Sequence, residues 1–355
     1  MNRVKSINQV FLATVLISIV GSFVNEWLRG YIDNALILLM LSQIILVIPS
    51  VVYLQIYKIN PCKAIRFHKI RLSNVVLIIL FAYLITPLMN FINAISLLFV
   101  RNDITNVINN IMDSNGFLLS IFAVAFIPCI FEEAVYRGVF YNEYSKVNPL
   151  KGVLLSAFLF GLMHGNINQF SYAFATGIVF ALLIEATNSI LSTMIVHFLI
   201  NGTTILLLEV YPKLLDLLER MYGSDKFNAK EMIDAVQNSG AESLNLTMVL
   251  QYGLIALIPT ILAFVVYRTI AKNTGRWEYV KNIFRKDSNI NTEGILLSNH
   301  VAETDVKKRS LITLSLLFGI AICIFIMIMN EIYTSSLPEQ PLEELVSSVM
   351  YLLIP

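Results

Sequence analysis

Charge is what this chain has least of. Of its 355 residues, 14% are Asp, Glu, Lys or Arg while 57% are hydrophobic. A soluble domain carries about 25% charged residues, so that class is excluded and the composition reads as an integral membrane protein. The net charge of +1 names no partner, because in such proteins the placement of charge matters and the total does not. Cysteine is nearly as scarce. Cys62, Cys129 and Cys323 are scattered, two of them in apolar runs, which supports neither a disulfide framework nor a metal cluster; they read as small buried apolar residues. Of the four histidines, only His164 and His197 lie in apolar runs. There is no glycine-rich phosphate loop, no internal repeat and no nucleic-acid signature, so nucleic acid is not an expected partner. The N-terminus has Arg3 and Lys5 followed by an apolar run from Val10 to Val24 without a small-residue cleavage site. An uncleaved first span is expected there.

What the chain has is long apolar stretches. A helix needs about 20 such residues to cross a bilayer, and stretches near 8–28, 35–57, 73–100, 117–145, 149–165, 169–186, 189–210, 245–271 and 310–330 qualify. The first and fifth are short in purely apolar terms, and the fourth is amphipathic in its second half. Backbone in lipid must satisfy its own hydrogen bonds, and nothing here alternates with strand period, so each stretch is expected to be a helix. The expected fold is therefore all-α: a polytopic transmembrane helical bundle of about nine spans, with Pro87 and Pro259 kinking their helices. Basic residues test this ladder. The segments on one side of it hold 19 Lys and Arg, and those on the other hold 6. The positive-inside rule then places the N-terminus in the cytoplasm and the C-terminus outside, in a multi-pass protein of the cell membrane.

Four parts are expected along the chain. Residues 1–72 form a two-span segment ending in a basic linker, Lys58 to Leu72, which would lie on lipid headgroups, with His68 solvated at that interface. Residues 73–210 form the core. Residues 211–244 are an external segment, where Leu214, Leu215, Leu217, Leu218 and Met221 have the spacing of an amphipathic surface helix. Residues 245–355 carry the last spans and a polar, basic cytoplasmic loop, 272–309, to which His300 belongs. Glu185, at the end of the sixth span, reads as interfacial. Asn90 and Asn93 would satisfy backbone groups freed at Pro87. Nothing in the sequence gives the oligomeric state.

Ionisable residues at bilayer depth are costly and mark functional sites by default. Glu132 and Glu133 follow an almost unbroken apolar run from Phe117 to Phe131, and His164 and His197 lie in similar surroundings. Residues four apart share a helix face, so Glu133 and Arg137 can form an ion pair. Glu132 is about 100° around the helix from Glu133, which frees it to face a cleft. A hairpin turn near Asn148 would bring Glu132 and His164 to similar depth, and His197 and Asn201, also four apart, share a face of the seventh span. Such a set suits amide hydrolysis. A carboxylate with an imidazole can deprotonate water, and a second imidazole with an asparagine amide can stabilise the oxyanion. Alternatively, His164, His197 and Glu132 could ligate zinc, leaving one position open for water, as in a metalloendopeptidase. No serine or cysteine is paired with these histidines, which makes a covalent mechanism less attractive. Taken singly, each feature also fits polar residues that lock helices together.

The sequence Glu132-Glu133-Ala134-Val135-Tyr136-Arg137 resembles the EExxxR motif of the CAAX prenyl protease and bacteriocin-processing (CPBP) intramembrane protease family. Phe160-Gly161-Leu162-Met163-His164 resembles its FxxxH motif, and His197-Phe198-Leu199-Ile200-Asn201 its HxxxN motif. All three occur in family order, each on its own apolar span, over roughly residues 73–210. The resemblance implies an intramembrane endopeptidase acting on a peptide or membrane-tethered protein. By it, Glu132 and His164 would activate water, His197 and Asn201 would form the oxyanion hole, and Glu133 with Arg137 would brace the site. No cofactor is favoured, because Asn201 suits an oxyanion better than zinc; zinc is the alternative. The rival function is a catalytically idle immunity or scaffold protein that binds a peptide or sensor partner. A proton-relaying transporter is disfavoured, since repeated halves and paired broken helices are missing.

Overall fold

The computed structural model describes residues 3–32, 34–100, 104–223, 245–285 and 310–336, and among them every regular element is a helix. The long ones are α1 (Arg3–Arg29), α2 (Ala35–Ile56), with the short α3 (Pro61–Ala64) after it, and α4 (Leu72–Ser96). Then come α5 (Ile104–Asn115), α6 (Phe117–Ser145), α7 (Pro149–Met163) and α8 (Ile167–Thr187). The last are α9 (Leu191–Tyr222), α10 (Leu246–Asn273), the short α11 (Trp277–Ile283) and α12 (Leu314–Ser336). Eight of these are long and apolar enough to cross a membrane, and the fifth expected span, α7, has only 15 residues. The chain is a multi-pass membrane protein.

Asparagine starts many of these helices. Asn34, Asn60, Asn148, Asn166 and Asn245 each accept a backbone N–H of the first turn, satisfying donors that a helix start leaves unpaired. Asn60 and Asn148 are followed by Pro61 and Pro149, whose missing N–H and fixed φ suit the first helical position. Asn148 is thus the turn between α6 and α7, where the hairpin was expected. The helices continue through Pro49, Pro87, Pro212 and Pro259.

Two apolar clusters flank the centre. One joins α1, α2, α6, α7 and α12 through Phe11, Leu46, Tyr136, Phe140, Phe160 and Leu316. The other joins α4, α8, α9 and α10 through Ile78, Phe81, Phe180, Val196 and Ile270. At one end of the bundle the basic linker, the end of α6, the end of α8 and the turn after α10 meet, through Arg66, Asn142, Ser145, Glu185 and Arg276. The charge asymmetry of the sequence grouped these segments together.

Two boundaries differ from expectation. The seventh span does not end near residue 210: α9 runs unbroken to Tyr222, because its apolar period carries on past Pro212. The leucines read as a separate surface helix belong to this same helix, with Leu215 buried and Leu214, Leu217 and Met221 exposed. The third and fourth expected spans leave residues 101–116 between them, and there Ile104–Asn115 forms a further helix. The rest of the 211–244 segment, residues 286–309 with His300, and 337–355 lie outside the described residues.

Candidate active site

The centre of the site is a change of helical winding. Within α6 the segments Phe122–Phe126 and Glu133–Tyr141 are π-wound, with hydrogen bonds five residues apart, a geometry that recurs at functional positions. The second segment opens on Glu133 and carries Arg137. The π winding keeps the four-residue pair in contact, with Arg137 Nη1 3.0 Å from Glu133 Oε1, both side chains buried. The Nη1 and Nη2 hydrogens of Arg137 are not aimed at that oxygen or at any other acceptor among the described residues. The contact is a charge pair, not an aligned hydrogen bond. The guanidinium carbon instead stands over two aromatic rings, 4.0 Å from the centre of Phe160 and 5.0 Å from that of Phe180, where ring quadrupoles stabilise a desolvated cation.

His197 comes from α9 across the seam between the clusters. Its Nδ1 lies 3.0 Å from the same Glu133 Oε1, and an ionised carboxylate can only accept, so the imidazole donates there. That leaves Nε2 directed to the other glutamate, 3.9 Å from Glu132 Oε2. This gap is too long for a hydrogen bond and suits one water touching both groups. Glu132 is itself buried and accepts through Oε1 from Gln43 Nε2 at 3.0 Å.

His164 is the residue that ends α7. Its Nδ1 is 2.9 Å from the Phe160 carbonyl, which again makes Nδ1 the donor and leaves Nε2 with its lone pair. The Phe160 ring stands edge-on to both imidazoles, 4.8 Å from His164 and 6.5 Å from His197. The aromatic residue of the FxxxH stretch therefore spaces the two histidines and covers Arg137. Asn201, one turn beyond His197, donates Nδ2 to the Val124 carbonyl at 3.1 Å. Val124 lies in the first π segment, where the shifted bonding pattern makes a carbonyl available to a side chain. One of the two amide hydrogens of Asn201 is committed to this contact.

α7 explains the depth of His164. Fifteen residues rise about 22 Å, less than the roughly 30 Å hydrocarbon core, so a helix of this length that starts at one membrane face ends short of the other. Non-helical backbone at that depth must be covered by protein. Gly165 makes the turn at φ +61°, a region that favours glycine, and Asn330 of α12 donates to its carbonyl at 2.9 Å. Asn166 then caps α8.

The zinc alternative meets a geometric test here. Both imidazoles donate through Nδ1 and keep Nε2 free, as ligating histidines do. Yet among the described residues no three histidine, cysteine or carboxylate side chains stand close enough to hold one ion. His164, His197 and Glu132 do not form such a group, and this geometry lends the metalloendopeptidase reading no support.

Two residues have roles that the sequence did not announce. Gln43 is one; a lone amide within an apolar span, on the helical stripe of Leu46, Ser50 and Tyr53, was the signal. Glu185 is the other. Read as interfacial, it is fully buried, because two arginines from distant segments close over it. Its Oε1 accepts from Arg66 Nη1 at 2.6 Å and from the Tyr141 hydroxyl at 2.7 Å, and its Oε2 from Arg276 Nη2 at 3.0 Å. Burial works against the Arg66 charge, but Glu185 outweighs it and holds the guanidinium above its ordinary range. This hub ties the basic linker to the end of α6 and takes no part in the Glu132 cluster. His68 is exposed, as expected, with Nδ1 2.6 Å from the Asn188 carbonyl.

Residues 114–203, about a quarter of the chain, match the family model described as Type II CAAX prenyl endopeptidase Rce1-like. That segment holds Glu132, Glu133, Arg137, His164, His197 and Asn201, and the match is consistent with the CPBP resemblance. Gln43 lies outside it. No curated protein and no solved structure matches the chain.

Proposed function

We propose that the chain is an intramembrane endopeptidase of the cell membrane, hydrolysing a peptide bond in a membrane-associated peptide or protein. One observation carries the reading: Glu132 Oε2 and His197 Nε2 face each other at 3.9 Å, and each group is held from behind by its own partner, Gln43 and Glu133. The family match of residues 114–203 to a prenyl endopeptidase supports the reaction class. Prenylated substrates are not required by anything in the site.

In this reading Glu132 is the general base. It takes a proton from water as the water oxygen attacks the scissile carbonyl carbon, and His164 Nε2 orients that water. The carbonyl electrons move onto oxygen, giving a tetrahedral oxyanion. Asn201 offers its second amide hydrogen, and His197 offers Nε2–H when protonated. Collapse breaks the C–N bond as Glu132 returns its proton to the leaving nitrogen, yielding an acid and an amine.

The test compares membrane-associated peptides, by mass spectrometry, from cells expressing wild-type protein or a Glu132→Gln variant. Cleavage products present with the first and missing with the second support the reading. Identical peptide spectra, with both proteins folded and equally abundant, would favour the idle immunity or scaffold role.

A further inference from the structure

Gln43 stands on α2, far outside the segment that carries the family resemblance, and its side chain's only hydrogen-bonded partner among the described residues is Glu132. Both side chains are buried, Gln43 at 1% exposure and Glu132 at 5%. Because an ionised carboxylate only accepts, the amide must turn its NH₂ toward Glu132. Its Oε1 is then buried with no hydrogen-bond partner among the described residues. A glutamine serving only to lock two helices would use both ends of its amide, since a buried unpaired acceptor is destabilising. This one is engaged only at the end that touches the carboxylate.

The contact also divides the labour of the two carboxylate oxygens. Oε1 is fixed by Gln43, which leaves Oε2 as the oxygen facing His197 Nε2 across the 3.9 Å gap. A glutamate side chain has three rotatable bonds, and among the described residues Glu132 has no arginine partner of its own: the nearby guanidinium pairs with Glu133. Without Gln43, the Glu132 carboxylate would be free to turn either oxygen, or neither, toward the water position.

We propose that Gln43 is a positioning residue for the hydrolysis. It holds the Glu132 carboxylate in its reactive orientation, so that a span outside the family-matched segment completes the site. The proposal rests on the endopeptidase reading given above. It implies that residues 114–203 cannot work without α2, although every residue of the three motifs lies within them.

The test uses full-length protein in liposomes. Its substrate is a peptide whose cleavage distinguishes wild type from Glu132→Gln in the mass-spectrometric comparison. Gln43→Leu keeps the volume and removes the donor. The expected result is a fall in kcat of about tenfold to a hundredfold, the size of a hydrogen bond to a charged group, with KM within about twofold of wild type, the pattern of a lost transition-state contribution. Gln43→His, which keeps an N–H donor near the same reach, should recover most of that loss. In the Glu132→Gln background, Gln43→Leu should cost nothing further, because it acts through the residue already changed. Should the leucine variant fail to fold, Gln43→Met carries the same comparison. An infrared arm does not depend on turnover. The carboxylate band assigned by the difference between wild type and Glu132→Gln should shift in Gln43→Leu. Wild-type kcat in a folded Gln43→Leu protein would overturn the proposal, as would an equal loss in the Glu132→Gln background or a loss that histidine does not restore. A shifted infrared band with no cleavage by wild type would locate the failure in the endopeptidase reading; an unshifted band would locate it in the contact itself.

Discussion

Glu133 and Glu132 are adjacent in sequence but are held differently. A single oxygen of Glu133 lies 3.0 Å from both Arg137 and His197, so its charge is matched within the protein. Removing it leaves a buried guanidinium over two phenyl rings without a counter-ion, a loss typically of about 3–5 kcal/mol. Glu133→Gln is therefore expected to lower the thermal midpoint by several degrees or abolish expression, and Arg137→Gln to do the same. The double variant should be better folded than either, and a double variant no more stable than the singles would show that the pairing is not what holds α6. Glu132→Gln removes no such match and should leave the midpoint nearly unchanged while turnover falls at least about 10²-fold. Asn201→Ala should reduce kcat about 10²- to 10³-fold, the range seen when one oxyanion donor is lost. Purified variants assayed for both melting and cleavage separate these outcomes.

At the scale of elements, α7 and α8 decide where His164 sits. They approach so closely at Gly177 that an added Cβ would stand 2.8 Å from the Cα and Cβ of Ala157. That contact is backbone-deep and cannot be relieved by a rotamer change. Gly177→Val is expected to cost about 1–3 kcal/mol through overpacking, and to lower kcat as well, because the hairpin carrying His164 must splay. A Gly177→Val protein with wild-type melting would mean that the two helices have more freedom than their contact suggests. The turn itself is fixed twice, by the left-handed backbone of Gly165 and by Asn330 reaching in from α12.

The whole molecule sets topology and metal content. The positive-inside rule expects the basic linker in the cytoplasm, so Cys62, which is exposed, should resist an impermeant thiol reagent on intact cells and react once the membrane is opened. A cysteine placed at Tyr222, the exposed end of α9, should react from outside; Cys129 and Cys323 are buried and should remain silent in both cases. Labelling of Cys62 on intact cells would reverse the orientation. For the metal question, protein stripped with a chelator and verified metal-free by elemental analysis is expected to keep its cleavage activity. Stoichiometric zinc whose removal abolishes activity and whose return restores it would overturn that expectation.

The sequence by itself determined the class of structure and the depth of the charges. Apolar runs in a chain this poor in charge leave helices as the available backbone solution in lipid, and ionisable residues within them stand out because lipid cannot solvate them. Glu132, Glu133, Arg137, His164 and His197 stand out that way, Asn201 is noticed only by its four-residue spacing from His197, and the turn at Asn148, capped by its own side chain, is where the sequence places it. The pairing of Glu133 with Arg137 was legible too, being local to one helix. Only the tertiary structure decided which glutamate His197 bonds, because that depends on the azimuth of α9 against a π-wound helix, and straight α-helical geometry does not anticipate the winding. The partner of Gln43 stayed hidden for the same reason: an amide in an apolar span marks a position, and only the opposing helix shows what it faces. Glu185 reads as interfacial from its place near a helix end and is buried because Arg66 and Arg276, from segments far apart in the chain, fold over it. Local chemistry wrote the helices and their caps, while the partners of each buried charge were set by helix packing.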